Sequence, residues 1–249
     1  MLRGSRGRMN DEHKDISKLI YHDDIGRVQL VQHWGTDQTI VNSARVSFGQ
    51  HNKTGIMSKK DEKLIHYLIK NKHTSTLEHC GATFLFVVPM FVARQHHRHR
   101  TWSYNEVSRR YTDVDIKFYS PLAFRTQHRS NRQASNAGEL VDPMVKVRGE
   151  DKLASSLMFE YNAYALRLYE HMIAAGVCRE QARGILPQNM YCEYYGSVNL
   201  HNALHFIKLR SHGGAQWEIQ QVATAMLEML EPLFPVAIEA WRERENEEG

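Results

Sequence analysis

Between Arg94 and Tyr111 the chain reads Arg-Gln-His-His-Arg-His-Arg-Thr-Trp-Ser-Tyr-Asn-Glu-Val-Ser-Arg-Arg-Tyr, which sets five arginines and three histidines around one carboxylate, Glu106. Guanidinium groups stay charged at any working pH and present a planar fork of donors matching phosphate oxygens. The chemistry indicated is capture of an anionic ligand in a fixed pose, with the hydroxyls of Thr101, Ser103 and Ser108 as further polar groups. A basic cluster can equally be a solvated helix face or a localisation-type patch. The histidines at 96, 97 and 99 lack the helical pair four apart with a Glu between that binds zinc, so no metal is expected.

The elements that must position this cluster follow from pattern. The apolar run Thr83 to Val92 predicts a buried strand, Thr83 to Val88, stopped by Pro89. A helix then carries Arg94 and Arg98 at i,i+4 on one face. Val28 to Trp34 reads as a strand and Asp37 to Ser47 as a helix. Ser58 with Asp61 forms a capping box opening a helix through Leu64, Tyr67 and Leu68. Lys117 to Tyr119 is a short strand before Pro121, and the polar stretch Gln127 to Gly138 a loop. A long helix spans Lys152 to Ala175, with Gly176 just past its end. Arg179 to Leu186 is a short helix, and Met190 to Val198 a strand with exposed aromatics. Asn199 caps a helix whose apolar face is Leu200, Ala203, Leu204 and Ile207, and helices follow from Gln216 to Leu230 and after Pro232. The fold class expected is α/β, mixed helix and sheet with helix in excess.

A chain of 249 residues with 42% hydrophobic content can bury one good core. The expected organisation is an N-terminal basic and polar tail (1–22), one catalytic domain (23–241) and a fraying C-terminal tail (242–249). A formal charge of +4 suits phosphorylated substrates and is too small by itself to imply nucleic acid. Cys80, Cys178 and Cys192 are odd in number and have no metal spacing, which indicates a reducing compartment, the cytoplasm. No uninterrupted apolar stretch is long enough for a membrane span. Met1 to Met9 carries Arg3, Arg6 and Arg8 but no apolar core, unlike a secretory signal.

Arg98-His99-Arg100, seven residues and then Ser108, with Tyr104-Asn105-Glu106 inside and Arg110-Tyr111 after, resembles the signature of the flavin-dependent thymidylate synthases. Further pieces agree in order: His73 and Glu78-His79 upstream, Arg183 with Leu186-Pro187 in the middle, then Leu209-Arg210, Ala215-Gln216 and Glu218-Ile219. The resemblance covers roughly Val28 to Pro235. It implies conversion of dUMP to dTMP, with methylenetetrahydrofolate and NADPH as co-substrates and FAD as cofactor. It also implies a homotetramer whose sites are shared between subunits, with neither nucleic acid nor membrane as partner.

Carried over residue by residue, the resemblance assigns FAD binding to Ser75, Arg98, His99, Arg100 and Glu106, with Asn199, Leu200, His201 and His205 from another subunit. It assigns dUMP binding to Gln95, His96, His97, Arg98, Glu106, Val107, Ser108, Arg109, Arg110, Arg183 and Arg210. Arg210 takes the catalytic role, because a cation beside uracil favours loss of the N3 proton. Taken alone, Arg210 would simply complement a helix dipole, and His73 and His79 would be structural histidines. No cysteine falls in a matched motif, so none is expected to act as nucleophile. The chain departs from some relatives at Gly214, where they carry His and where His212 stands two residues earlier, at Arg109, which is small in some, and at His201, which is Arg. Two rival classes remain: a single-strand-binding module stacking bases on Trp102, Tyr104 and Tyr111, and a scaffold whose Tyr191 to Tyr195 segment makes oligomer contacts.

Overall fold

The computed structural model describes residues 16–49, 56–113 and 115–248. Met1 to Met9, with Arg3, Arg6 and Arg8, lie outside the described residues. The main sheet is antiparallel throughout, in the order β1 (Ile16–Leu19), β2 (Arg27–Trp34), β3 (Gly81–Pro89), β9 (Tyr191–Asn199), β4 (Ser103–Glu106). The mixed α/β class with helix in excess is the one observed.

β3 is central because nearly all of it is apolar, and both faces are covered: Phe84, Phe86 and Val88 are fully buried on one side, Thr83 and Val87 on the other. Its neighbour β9 carries the aromatics expected to be exposed. The structure corrects that expectation for Tyr194, buried on one face, and for Tyr191, buried on the other, while Tyr195, on the same face as Tyr191, stays open. An inner strand between β3 and β4 cannot expose both sides. Gly196 on β9 is required by packing, since a Cβ there would lie 2.9 Å from the Phe86 ring and 3.2 Å from Trp102. Helices α6 (Leu200–Ser211) and α7 (Trp217–Leu230) pack on one another and close the core over the sheet.

The capping signals are observed as the sequence predicts. Ser58 Oγ accepts from the Asp61 amide at 3.3 Å and Asp61 accepts from the Ser58 amide at 2.8 Å, opening α2 (Lys59–Lys70). Asn199 Oδ1 accepts the Asn202 amide at 2.9 Å and starts α6. Helix α1 (Asp37–Arg45) gives way to a 3₁₀ turn at Val46–Phe48.

Other expectations are revised. Helix α3 (Met90–His96) ends before Arg98, so Arg94 and Arg98 do not share a helical face. Lys117 to Tyr119 forms no strand, only a bridge from Phe118 to Met190. The predicted loop 127–138 is shortened by a hairpin, β5 (Phe124–Gln127) with β6 (Ser135–Val141). A second hairpin, β7 (Met144–Val147) with β8 (Glu150–Leu153), takes the first residues expected in the long helix, so that helix is α4 (Ala154–Ala174). Its two-residue turn, Arg148-Gly149, has φ of 52° and 90°, the left-handed pair that matches strand twist. Ile16–Leu19, expected in the tail, pairs with β2, and α8 (Pro235–Glu248) continues through the residues expected to fray. The short α5 (Arg179–Ala182) lies where a short helix is predicted.

One buried carboxylate ties the two ends of the helical layer together. Asp37 at the start of α1 accepts the backbone N–H groups of Val236 at 2.9 Å and Ala237 at 3.1 Å, the first turn of α8. These donors have no partner within their own helix. Asp37→Ala is therefore expected to destabilise the protein by about 2 kcal/mol. The readout is a lower urea midpoint at unchanged slope, and an unchanged midpoint would contradict the tie.

Candidate active site

The turn after α3 is built on an aromatic cluster. His96, fully buried, packs edge-on against Phe86 (ring centroids 4.8 Å) and Trp102 (4.4 Å) and lies 4.5 Å from Phe206. Its Nδ1 meets the Tyr194 hydroxyl at 2.9 Å. Burial, then the neighbouring His99, His97 and Arg210, hold His96 well below the usual imidazole range, so it stays neutral. Tyr104 donates its hydroxyl to the carbonyls of His96 at 2.9 Å and His99 at 3.2 Å, which pins the turn that displays residues 97–100. The His97 ring packs tilted against Tyr104, ring centroids 4.4 Å apart, and leaves its Nε2 buried without a hydrogen-bond partner among the described residues.

On this turn the structure brings three sequence-predicted residues together. Arg210, from the last turn of α6, donates from Nε to His99 Nε2 at 3.1 Å and from Nη2 to the Gln95 carbonyl at 3.4 Å. Because Nε2 accepts, the His99 proton sits on Nδ1. Burial, reinforced by Arg210 and His205, lowers His99 from an ordinary 6.5 to about 4. His205 stands beside it in the same chain, 6.3 Å between ring centroids. Arg98 and Arg100 are exposed on the same turn, and neither has an ion-pair partner among the described residues.

A second group lies along β4 and the turn beyond it. Glu106, Val107, Ser108, Arg109 and Arg183 line a cavity of about 1090 Å³ that also takes in Arg94 and the α4 residues Tyr161 and Tyr164. Burial raises Glu106 above the usual carboxylate range, while Arg183 opposes that shift. Ser108 Oγ accepts the Arg110 amide at 3.2 Å, and Arg110 is 3.7 Å from Glu180.

The remaining predicted residues are dispersed. Ser75 is exposed on the 3₁₀ segment Thr74–His79. His201 and His205 line a cavity of about 240 Å³ with Lys208, Trp241 and Arg244. Leu200 and His96 are inside the core, and the Leu200 amide donates to the Cys80 carbonyl at 2.8 Å, so neither side chain faces a ligand. At the Gly214 departure, His212 turns back and accepts the Gly214 amide on Nδ1 at 3.0 Å. His73 and His79 are both exposed.

Sequence reasoning missed Arg125, whose guanidinium lies 5.2 Å from the Trp217 ring centroid and 2.6 Å from the buried Glu218. It lies between the apolar Leu122-Ala123-Phe124 and a polar stretch, in no periodic pattern, so no local signal marks it. The hydroxyl partners of Tyr104 and Tyr194 are supplied by tertiary contact, so the sequence does not reveal them.

The chain matches the protein family described as thymidylate synthase complementing protein over residues 29–236. It is 44% identical over 220 residues to a flavin-dependent thymidylate synthase of Thermus thermophilus, covering 88% of this chain and 77% of that one. The corresponding protein of Wolbachia pipientis is 37% identical over 234 residues, covering 92% of this chain and 80% of its own length. Among solved structures, the UMP/dUMP methylase PolB from Streptomyces cacaoi bound with 5-Br UMP superposes with a TM-score of 0.72 at 30% identity, over 87% of this chain and 94% of that one.

The Arg210–His99 contact makes a titration prediction. A histidine whose folded value lies below its unfolded one takes up a proton more readily on unfolding. The stability carried by neutral His99 is therefore complete above pH 6.5 and is lost as the pH falls from 6.5 towards about 4. Nitrogen-15 NMR is expected to show His99 as the Nδ1–H tautomer with a midpoint near 4. Arg210→Met should raise that midpoint without restoring 6.5, since burial, the larger cause, remains. A wild-type midpoint near 6.5 would exclude the contact.

Proposed function

The chain belongs to the flavin-dependent thymidylate synthase family, and we propose that it is the enzyme that converts dUMP to dTMP, with methylenetetrahydrofolate as one-carbon donor and NADPH as reductant through FAD. The observation that carries the reading is a guanidinium, Arg210, held against a neutral histidine on the same turn as two arginines, Arg98 and Arg100, with no ion-pair partner among the described residues. The related methylase bound with 5-Br UMP supports a uridine nucleotide as substrate.

The residues present fit FAD. Its two phosphates call for charged donors not already consumed by carboxylates, which Arg98 and Arg100 supply. His97 Nε2 is a buried polar atom still lacking a partner. Ser75, His99, Glu106, Asn199, the Leu200 backbone, His201 and His205 complete the proposed FAD contacts. Once bound, the flavin supplies the hydride chemistry, and the protein binds, orients and polarises.

The proposed dUMP contacts are Gln95, Arg98, Glu106 to Arg110, Arg183 and Arg210, with His96 and His97 supporting from beneath. Arg210 is partly desolvated, and that burial lowers its pKa from the ordinary value. In such a setting a charge acts more strongly than in water. Beside uracil it favours the N3 anion and so makes the ring a better nucleophile. Cysteine plays no part: burial pushes the Cys80 and Cys192 thiols up to about 12, and Cys178 is outside the matched motifs.

A homotetramer with shared sites is part of the proposal. It is supported by open aromatics on α4: Tyr161 and Tyr164, three residues apart on one face, are 56% and 58% exposed, and Phe159 on another side of the helix is 70% exposed. Three free cysteines suit the cytoplasm, and no described helix is long and apolar enough to cross a membrane. No nucleic-acid partner is proposed.

Apoprotein titrated with FAD should change flavin absorbance, and dUMP should stimulate NADPH oxidation; folded protein that leaves the flavin spectrum untouched would remove the proposal. Arg210→Ala should slow single-turnover oxidation of the reduced flavin by roughly a hundredfold, about 3 kcal/mol, with FAD still bound. Arg210→Lys should recover only part, because an ammonium lacks the planar fork. The Cys80, Cys178 and Cys192 to Ser triple variant should keep its turnover within about a few-fold, as expected where no thiolate attacks. Loss of all turnover in a triple variant that still bound FAD and dUMP would restore a cysteine to the mechanism.

A further inference from the structure

Glu218, at the start of α7, is 3% exposed and surrounded by donors. Its Oε1 accepts from Arg125 Nη2 at 2.6 Å and from the Tyr119 hydroxyl at 3.2 Å, and its Oε2 accepts from Gln216 Nε2 at 2.9 Å. Gln216 in turn accepts on Oε1 from Gln95 Nε2. Gln95 is the residue whose main-chain carbonyl receives the Arg210 guanidinium.

The direction of this chain follows from donor and acceptor accounting. An ionised carboxylate only accepts, so the Gln216 atom facing Glu218 must be its NH₂. The Gln216 carbonyl then faces Gln95 and must receive the Gln95 NH₂. That leaves Gln95 Oε1 as the outward atom. It has no partner among the described residues and is not among their buried unpaired atoms, so it is open to a ligand.

We propose that Glu218 is a positioning residue for specificity: through Gln216 it holds the Gln95 side chain with its carbonyl outward, so that Gln95 and Arg210 together read an imide, an N–H flanked by two carbonyls. Arg210 offers donors to a carbonyl oxygen and Gln95 Oε1 accepts the N–H. Two ligands of the function proposed above, on which this inference rests, carry that group: the uracil of dUMP and the pyrimidine end of the flavin. A base with the reversed pattern, such as cytosine, would leave Gln95 Oε1 facing another acceptor. Unpaired polar groups discriminate strongly in sites of this kind.

Glu218→Gln tests the relay because it keeps shape and inverts polarity. Arg125 and Tyr119 both donate to one oxygen, so the new amide keeps its carbonyl there and turns its NH₂ to Gln216. Gln216 flips, then Gln95, and a donor is presented where an acceptor stood. Gln95→Met, at a partly exposed position, removes the acceptor directly should Glu218→Gln fail to fold.

Affinities are measured calorimetrically for dUMP against N3-methyl-dUMP, and for FAD against N3-methyl-FAD, to identify which imide is read. In the wild type, methylation of that ligand should weaken binding by about tenfold or more, and in both variants the ratio should fall to within about threefold. A merely structural role would lower both affinities of a pair alike and leave the ratio standing, which would overturn the proposal. So would wild-type affinities indifferent to methylation in both pairs. Protein binding neither dUMP nor FAD would overturn the function proposed above and this inference with it. A readout free of ligand separates the two: the Gln95 side-chain NH₂ should exchange slowly with solvent in the wild type and rapidly in Glu218→Gln. Rapid exchange in the wild type would overturn the relay whatever the protein binds.

Discussion

A guanidinium can rest against an imidazole nitrogen only while that nitrogen keeps its lone pair, and the arrangement of this molecule around Arg210 depends on that condition. His99 meets it because burial and the adjacent charge both disfavour the imidazolium. Arg210 is in turn kept partly out of water, and its position at the end of α6 places it beside the turn that carries Arg98 and Arg100. A charge so fixed needs little reorganisation when a ligand's own charge develops, and electrostatic catalysis draws on that property.

The turn is held because the sheet beneath it is nearly all aromatic and aliphatic. β3 and β9 run in register from Gly81 opposite Asn199 to Pro89 opposite Tyr191, so Phe86 and Tyr194 stand side by side under His96. Gly196 leaves room for Phe86 and Trp102 to close in. Tyr104 then reaches from β4 to the two carbonyls of the turn. A histidine-rich surface turn is thereby fastened to a hydrophobic core through neutral hydrogen bonds rather than ion pairs, leaving its arginines unspent.

The two groups of site residues differ in how charge is managed. Around Arg210, burial holds His96 and His99 neutral and the cation dominates. In the cavity beyond β4 a carboxylate, Glu106, shares the lining with Arg183, with burial and the Arg183 charge pulling its ionisation in opposite directions. Glu218 shows a third solution, a buried carboxylate matched by Arg125, Tyr119 and Gln216. Removing one partner from such a set leaves an uncompensated charge, which is why buried pairs resist piecemeal substitution.

What the sequence determined by itself was local and short-ranged. Ser58 with Asp61 and Asn199 with Asn202 close hydrogen bonds over three residues, so their caps are legible in the residue types. The apolar run of β3 announced a buried strand, and the order of the motif pieces announced the family. Tertiary structure decided what depends on distant partners. His96 and Leu200 belong to motifs that read as contact residues, yet packing turns both inward. Arg125 matters only because Glu218 and Trp217 arrive from 90 residues away or more in the chain. The β7–β8 hairpin is not legible in the sequence because its strands, Met-Val-Lys-Val and Glu-Asp-Lys-Leu, lie almost wholly exposed, so no buried face marked them. A hydrogen bond's direction, as in the amides of Gln95 and Gln216, is fixed by the far end of its network, and no local pattern encodes that.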